Sequence, residues 1–544
     1  MDSAGLRRRS RETSKQQTGA TATAASLEIV EVKSPDSSTD TTASQRPPQQ
    51  KNHDVDDGRV SCFPPITLRP PTHSRDEDAA QPPRFTIDLS EKPEQRYRHV
   101  ADRMRDAVAV SDLADLFDSL VRSVTPGPLV STLHALARHA LRRLYCAEET
   151  AELRGIAAAS GIALHLLVAF NVLLDLLLGC SSGGMRVVCP GSKDGSSSRI
   201  LHFRTLDWGM EELRALTVEL DFVRRPGGPV VATSVTYFGY VGVLTGVRRG
   251  LSMSLNFRPH HDRSTWRRRF GFRWHQIMVV LGFRQSVSSV LRALLLTPDP
   301  ELDGGDAGGA DTGAKQQKKW WWMRKKSSGK PGTTHNKPDV STPIIHYIKN
   351  QLPATRSTAA YLIFCTADEG RTLEKDNGHG QFHSSSGFHA TYNHDRADEA
   401  EPQRLEHAAH GAAEEAAGME TIVGMSMIRA RGMERRLGRA SSRLKAKAKS
   451  KSGSEHGSRR RRKSSIGSAD GVHNDDCSRE VSPDDVLKLV LNPEICNEET
   501  HYAVVMDPGL GKVLWRRAFP LELPPDSGSA DDATDGDAPP GRHT

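Results

Sequence analysis

The chain is short of the residues that fill a protein core: of its 544 positions, 36% are hydrophobic and 6% aromatic. Globular domains usually carry more apolar material than this, so a sizeable part of the chain has to lie outside any core. Cysteine is scarce as well. The seven cysteines, at positions 62, 146, 180, 189, 365, 477 and 496, are odd in number and irregularly spaced, and none forms a CxxC pair. That argues against a zinc ribbon or a disulfide scaffold and leaves reduced thiols as the expectation. There is no HExxH and no Cys/His cluster, so the sequence calls for no metal and no cofactor. Met1 to Ala20, MDSAGLRRRSRETSKQQTGA, has no apolar core of the kind a secretory signal needs. Long hydrophobic runs are nearly absent. The exception, Gly161 to Gly179 (GIALHLLVAFNVLLDLLLG), is interrupted by His165, Asn171 and Asp175. A carboxylate inside a bilayer is costly, so this run reads as a buried helix rather than a span. The expectation from these absences is a cytoplasmic or peripheral-membrane protein.

Positive charge is unevenly spread. Eleven Lys/Arg and one Glu between Arg439 and Lys463 make a local +10 within a net +7, which leaves the rest of the chain at −3. One solvated run of this kind does not make the folded part a nucleic-acid binder.

Residues 1–80 are rich in Ser, Thr, Pro, Gln, Asp and Arg without any period, and read as disordered. Residues 81–179 open with a strand, Phe85-Thr86-Ile87-Asp88-Leu89, and continue with apolar residues at helical spacing, with breaks at Thr125-Pro126-Gly127-Pro128 and Ser160-Gly161. From Cys180 to about Asn256 the pattern changes to strands and tight turns, with Asp194-Gly195 and Pro226-Gly227-Gly228 as hairpin signals. Two helices follow, around 275–283 and 286–297. Strand signals return at Ala359–Thr366 and Phe388–Tyr392. Pro483–Leu491 reads as a helix, and Thr500–Phe519 as two strands around Asp507-Pro508-Gly509. Within the 180–520 region, 299–342 and 438–480 read as low-complexity insertions, and 521–544 as a disordered tail. The class is α+β, a sandwich with disordered insertions.

The sharpest chemical feature is Leu178-Gly179-Cys180-Ser181-Ser182, where an apolar helix gives way to a strand that opens with a thiol. Downstream, His202-Phe203-Arg204-Thr205-Leu206-Asp207-Trp208-Gly209 ends a strand with Arg and Asp three apart. A guanidinium lowers a thiol pKa, and a carboxylate orients an amine. If the bond before Cys180 is cut, its new α-amine, with a pKa near neutrality, becomes a general base one residue from the thiol.

Cys180-Ser181-Ser182, His202-x-Arg204-x-x-Asp207-Trp208-Gly209 and the glycine-rich Phe238-Gly239-Tyr240-Val241-Gly242-Val243-Leu244-Thr245-Gly246 together resemble the acid ceramidase / N-acylethanolamine acid amidase family. The Pro83–Leu89 segment is similar to that family's amino-terminal subunit, and Asp485–Phe519 to its closing helix and hairpin. The likeness covers 82–298 and 343–520.

It implies a four-layer αββα N-terminal-nucleophile (Ntn) hydrolase with a helical N-terminal subunit, made as a proenzyme that cleaves itself between Gly179 and Cys180 into two subunits. It further implies Cys180 as nucleophile and its amine as base. Arg204 would polarise the site, Asp207 hold the amine, Asn393 donate to the oxyanion, and Arg435 of Glu434-Arg435-Arg436 serve as an active-site arginine. Tyr237, Phe238, Tyr240 and Asn256 are expected around the substrate, a lipid amide. Ceramide is the first expectation and an N-acylethanolamine the alternative. An inactive lipid-binding or scaffold member of the fold is the reading from another class. The resemblance also implies an acidic or lysosomal compartment.

Three departures stand out. Arg204 lies 24 residues after Cys180, a longer separation than the family's. The family's Leu-Asn-Glu-Arg is Leu255-Asn256-Phe257-Arg258 here, and no signal peptide is visible. Finally, Trp320-Trp321-Trp322 among Lys318, Lys319, Arg324, Lys325 and Lys326 makes a basic-aromatic island suited to a peripheral membrane contact.

Overall fold

The computed structural model describes residues 66–68 and 81–519, except 112, 116, 119–129, 174–178, 189–197, 260, 263, 299–342, 401–417 and 454–478. The Asp194-Gly195 turn, the Trp320–Trp322 island, the 521–544 tail and nearly all of 1–80 lie outside the described residues. Within 1–80, the described segment 66–68 packs on the folded part: Ile66 is buried in one of its hydrophobic cores.

Two sheets form the middle of the molecule. The larger has eight strands. In spatial order they are β1 (Arg84–Asp88), β4 (Thr217–Val223), β5 (Val230–Tyr237), β6 (Thr245–Arg248), β7 (Leu251–Phe257), β8 (Ala360–Cys365), β9 (Gly370–Asp376) and β10 (His379–Ser385). β1 runs parallel to β4 and every other pairing is antiparallel. The five-stranded sheet runs β11 (Phe388–Thr391), β2 (Gly179–Val188), β3 (Ser198–Asp207), β12 (Thr500–Asp507), β13 (Lys512–Ala518), all antiparallel.

Strand alternation sorts the smaller sheet into two faces. Met185, Val187, Leu201, Phe203, Ala503 and Val505 pack outward against helices α9 (Gly418–Gly453) and α10 (Pro483–Val490). Cys180, Leu206, Tyr502, Val504 and Met506 face the larger sheet. On that sheet's far side lie α1 (Arg98–Arg103), α2 (Arg105–Ser111), α3 (Val130–Ala140), α4 (Ala147–Ser160), α5 (Leu164–Leu173), α6 (Trp266–Val280), α7 (Val287–Leu295) and α8 (Pro343–Asn350), whose apolar residues share one core with its strands. The order helix, sheet, sheet, helix is the four-layer αββα arrangement expected.

Local signals account for most boundaries. Gly161 ends α4 in the left-handed region at φ 78°, a conformation that a Cβ would disfavour. Ser286 caps α7 by accepting the Ser289 N–H at 3.2 Å. Asn171, one of the polar breaks in the apolar run, donates to the Gly239 carbonyl at 2.8 Å and accepts from the Val241 N–H at 2.8 Å. It thereby ties α5 to the glycine-rich loop. Among the described residues no helix is long and apolar enough to cross a membrane.

Three features depart from the sequence reading, the first being that the helix expected around 275–283 already starts at Trp266 as α6. The β9–β10 hairpin was not anticipated, because Gly370–Ser385 is largely polar; its Asn377-Gly378 turn, with Asn377 at φ 46°, is the signal that marks it. The insertion expected from 438 instead begins as helix: α9 runs on to Gly453 and buries Leu437 and Ala440 in the second core. Its Arg, Lys, Ala and Leu are all strong helix formers.

Candidate active site

Cys180 is the second residue of β2, wholly buried, with its side chain on the face between the two sheets. Its Sγ lies 4.0 Å from the Leu255 carbonyl of β7. The two glycines that follow Ser182 are there for space. A Cβ on Gly183 would sit 2.0 Å from the His389 carbonyl, so β11 could not lie so close to β2. Burial pushes the Cys180 thiol up to about 11, against an opposing pull from Arg204. With the chain intact the thiol is therefore held protonated.

Arg204 stands on the same face, opposite Ser182 in the β2–β3 register. It is fully buried, its Nη1 donates to Asn256 Oδ1, and its Nε and Nη2 have no hydrogen-bond partner. An unsatisfied buried guanidinium is expensive, and here two of its donors remain available beside a thiol. Asn256 is equally buried and donates to the carbonyls of Thr391 at 3.0 Å and Tyr392 at 3.3 Å. It therefore fastens β7 to the strand end that carries Asn393. Behind Arg204, His202 bridges Ser252 at 2.8 Å and Ser254 at 3.0 Å across the sheets. Burial, with Arg204 adding, lowers its pKa to about 3, so the imidazole is neutral.

Asp207 does not share that face. Three residues from Arg204 on an alternating strand, it points toward the helical layer. There it accepts from the Thr500 hydroxyl at 2.7 Å and pairs with Arg429 of α9 at 3.3 Å. Burial raises its carboxyl above the usual range, with Arg429 and the Thr500 hydroxyl pulling back. The group that holds the Cys180 nitrogen is Asn393: its Oδ1 accepts the Cys180 N–H at 2.8 Å and an Arg429 N–H at 2.9 Å. Its Nδ2 donates to the Phe257 carbonyl at 2.9 Å, and its backbone N–H donates to Ser426 at 2.6 Å. The result is a chain of buried groups, Thr500–Asp207–Arg429–Asn393–Cys180 N, that reaches the Cys180 nitrogen from the helical side.

The structure brings Cys180, Arg204, Asp207, Asn393 and Asn256 together and leaves Arg435 out. Arg435 is exposed and faces Glu494 at 3.5 Å. Arg429, less than two turns earlier on the same helix, is the arginine at the site. No local pattern distinguishes the two, because both sit in the same Arg-rich stretch. Toward Cys180, Asn393 serves as acceptor, while its Nδ2 donates to the Phe257 carbonyl.

Phe257 itself contributes that carbonyl while its ring is buried in the apolar core. The carboxylate in this neighbourhood comes from Asp395, which takes two bonds from Arg258, each 2.7 Å, and one from the Tyr361 hydroxyl at 2.7 Å.

Tyr237, Phe238 and Tyr240 are buried in the core beside the site. Tyr237 donates to His501 Nδ1 at 2.7 Å, and His501 Nε2 donates to the Trp208 carbonyl at 2.9 Å. Phe170 of α5 meets both Tyr237 and Tyr240, with ring centroids 6.2 and 5.7 Å apart. The three rings thus join the loop after β5 to the apolar helix α5. Among the described residues no group of His, Cys, Asp and Glu is placed to hold a metal ion.

Residues 80–145 match a family model described as the beta subunit of N-acylethanolamine-hydrolyzing acid amidase. The N-acylethanolamine-hydrolyzing acid amidase of Caenorhabditis elegans is 32% identical over 192 residues, covering 33% of this chain and 48% of that protein. The acid ceramidase of Mus musculus is 31% identical over 222 residues, covering 38% and 50%. The chain spans about half the length of the curated relatives it matches. A solved structure of the Caenorhabditis elegans N-acylethanolamine-hydrolyzing acid amidase ortholog aligns at 16% identity with a TM-score of 0.33, over 63% of this chain and 100% of that one. That overlap is too loose to carry an argument.

Proposed function

We propose that this chain, which belongs to the acid ceramidase and N-acylethanolamine acid amidase family, is a lipid amidase working through Cys180. The observation that carries the reading is the pairing at Cys180. Its nitrogen is held by Asn393 Oδ1, and on the face of its thiol stands a buried guanidinium with free donors.

In the intact chain Sγ attacks the Gly179 carbonyl carbon and the peptide bond breaks. The acyl group passes to sulfur and the Cys180 nitrogen takes a proton to become an amine. Water then cleaves the thioester, leaving Gly179 with a carboxylate and Cys180 with a free α-amine. That amine, with an ordinary pKa near neutrality, serves as the local base. Asn393 Oδ1, fixed in turn by Arg429 and Asp207, accepts one of its N–H groups and aims its lone pair at Sγ. Arg204 favours the thiolate and the negative charge that develops on the attacked carbonyl oxygen. Attack on a substrate amide gives a tetrahedral intermediate, and the α-ammonium protonates the departing amine. The acyl thioester is then hydrolysed by water, with the α-amine again as base.

The substrate reading is N-acylsphingosine (ceramide), which would give sphingosine and a fatty acid. N-acylethanolamines remain the second reading, because relatives with either name match at nearly the same identity. The aromatic wall of Tyr237, Tyr240 and Phe170 suits an acyl chain in both cases. Phe257, in place of the family's Glu, is with the long insertions what favours an inactive scaffold. Since that residue meets Asn393 through its backbone carbonyl, a phenyl side chain leaves the contact intact. Hydrolysis of N-acylsphingosine and of an N-acylethanolamine of equal chain length, by the parent and by Cys180→Ala, tests the proposal. Activity with either substrate that vanishes in the variant supports it, and equal activity in both proteins overturns it.

A further inference from the structure

Three consecutive residues of β7 reach across to the segment that ends β11 and follows it. Asn256 donates to the Thr391 and Tyr392 carbonyls at 3.0 and 3.3 Å. The Phe257 carbonyl accepts from Asn393 Nδ2 at 2.9 Å. Arg258 takes Asp395 in a forked ion pair, Nε to Oδ1 and Nη2 to Oδ2, each 2.7 Å. β7 belongs to the larger sheet and β11 to the smaller, and each of these contacts runs through a side chain. Asn393 is therefore gripped on both flanks, by Asn256 on the residues before it and by Arg258 on Asp395 after it.

The Arg258–Asp395 pair is itself fixed from two neighbouring strands. Tyr361 of β8 donates its hydroxyl to Asp395 Oδ1 at 2.7 Å. Burial, with the Asp395 charge adding, raises the Tyr361 hydroxyl, so it stays a donor. Arg258 Nη1 donates to the carbonyl of Lys375 in β9 at 3.2 Å, and its guanidinium lies 5.8 Å from the centre of the Tyr361 ring. The Arg258 and Asp395 side chains are 13% and 19% exposed. A forked guanidinium–carboxylate pair fixes direction as well as distance. A carboxylate that only satisfied Arg258 could come from any nearby segment. This one comes from the segment whose Asn393 Oδ1 accepts the Cys180 N–H at 2.8 Å. We propose that Arg258, Asp395 and Tyr361 are positioning residues, which hold residues 391–395 so that Asn393 Oδ1 meets the Cys180 nitrogen. The proposal rests on Cys180 being the nucleophile of self-cleavage and hydrolysis. A displacement of about 1 Å at such a group costs on the order of 10²-fold in rate.

Self-cleavage of the full chain and, after maturation, hydrolysis of N-acylsphingosine and an N-acylethanolamine test it in Asp395→Asn, Arg258→Met, their double variant and Tyr361→Phe. Asp507→Asn is the control. It breaks another buried pair, Arg199–Asp507 at 2.7 Å, five residues before Arg204 on β3. Asp395→Asn keeps the side-chain shape and should slow self-cleavage at least about tenfold. Tyr361→Phe should slow it less. The double variant should be no slower than Arg258→Met alone, because the two side chains act as one clamp. Asp507→Asn should cut at the parent's rate. In the matured Asp395→Asn protein kcat should fall with KM unchanged, the mark of a contact felt only in the transition state. Equal slowing by Asp395→Asn and Asp507→Asn overturns the inference in favour of a merely structural pair, and so does a change confined to KM. A parent that cuts itself beside an Asp395→Asn variant that cuts as fast overturns the inference alone. A parent that never cuts itself overturns the Cys180 reading, and this inference with it.

Discussion

Replacing Arg429 by methionine separates the structural account from the sequence-based choice of Arg435. Arg429 is buried and stands 3.3 Å from Asp207, a carboxylate with no exposure. At an effective dielectric near 20 that pair is worth about 5 kcal/mol of Coulomb energy. Breaking a buried pair from one side usually costs about 3–5 kcal/mol. Asp207 limits the loss by taking up a proton, since burial already raises its pKa and Arg429 is the charge that holds it down. Asn393 loses the Arg429 donor at Oδ1 and with it a fixed position of the acceptor for the Cys180 nitrogen. The expected outcome is a fall of about 3 kcal/mol in unfolding free energy, together with self-cleavage slowed at least ~10²-fold, the scale of a lost acid–base contact. Asp207→Asn on the same background should recover part of the stability and none of the cleavage. Arg435→Met removes one partner of an exposed 3.5 Å pair, which contributes about 0–1 kcal/mol. Urea unfolding and a gel time course of chain cleavage read both variants. Equal behaviour of Arg429→Met and Arg435→Met would refute the Asp207–Arg429–Asn393 chain.

Three further outcomes follow from the same geometry. Gly183→Ala, whose new Cβ would meet the His389 carbonyl at 2.0 Å, should break the β2–β11 pairing and lower the melting temperature sharply; a normal melt would contradict that close approach. With the bond before Cys180 intact, alkylation of Cys180 by iodoacetamide, read by peptide mass, should stay slow until the pH nears the thiol's raised value of about 11; fast labelling at pH 7 would contradict the protonated, buried thiol. His202 and His501 are each lowered to about 3 by burial. Their folded pKa lies below the unfolded 6.5, so the stability they support is complete above pH 6.5 and is lost as pH falls toward 3. The loss is about 1.4 kcal/mol per histidine per pH unit, and a His202→Gln variant with an unchanged acid-unfolding profile would contradict it.

Much of the frame was legible because the chain marks it locally. Pro226-Gly227-Gly228, Ser160-Gly161 and Asp507-Pro508-Gly509 are turn chemistry, and the alternation in Arg199–Phe203 and Leu216–Phe222 is strand chemistry. The β9–β10 hairpin escaped because its strands are polar, although Asn377-Gly378 announced the turn. At the site, Cys180 and Arg204 were singled out by the family resemblance rather than by type and spacing alone, and the fold sets them on one face of the β2–β3 pair. The direction of Asp207 was also implicit: residues three apart on a strand lie on opposite faces, so with Arg204 between the sheets Asp207 points to the helical side. Arg429 was not readable. Its role comes from a helix more than 200 residues downstream docking on β3, a tertiary fact that no local pattern encodes.

The central claim is that Cys180 is the amino-terminal nucleophile of a self-cleaved hydrolase. It is tested most directly by intact mass and amino-terminal sequencing of the purified protein beside its Cys180→Ala variant. The account predicts that the parent yields a fragment whose sequence opens at Cys180 with Cys-Ser-Ser-Gly-Gly-Met, and that the variant remains uncut after Gly179. A parent that hydrolyses lipid amides as a single uncut chain, or a variant cut at the same bond, would contradict it.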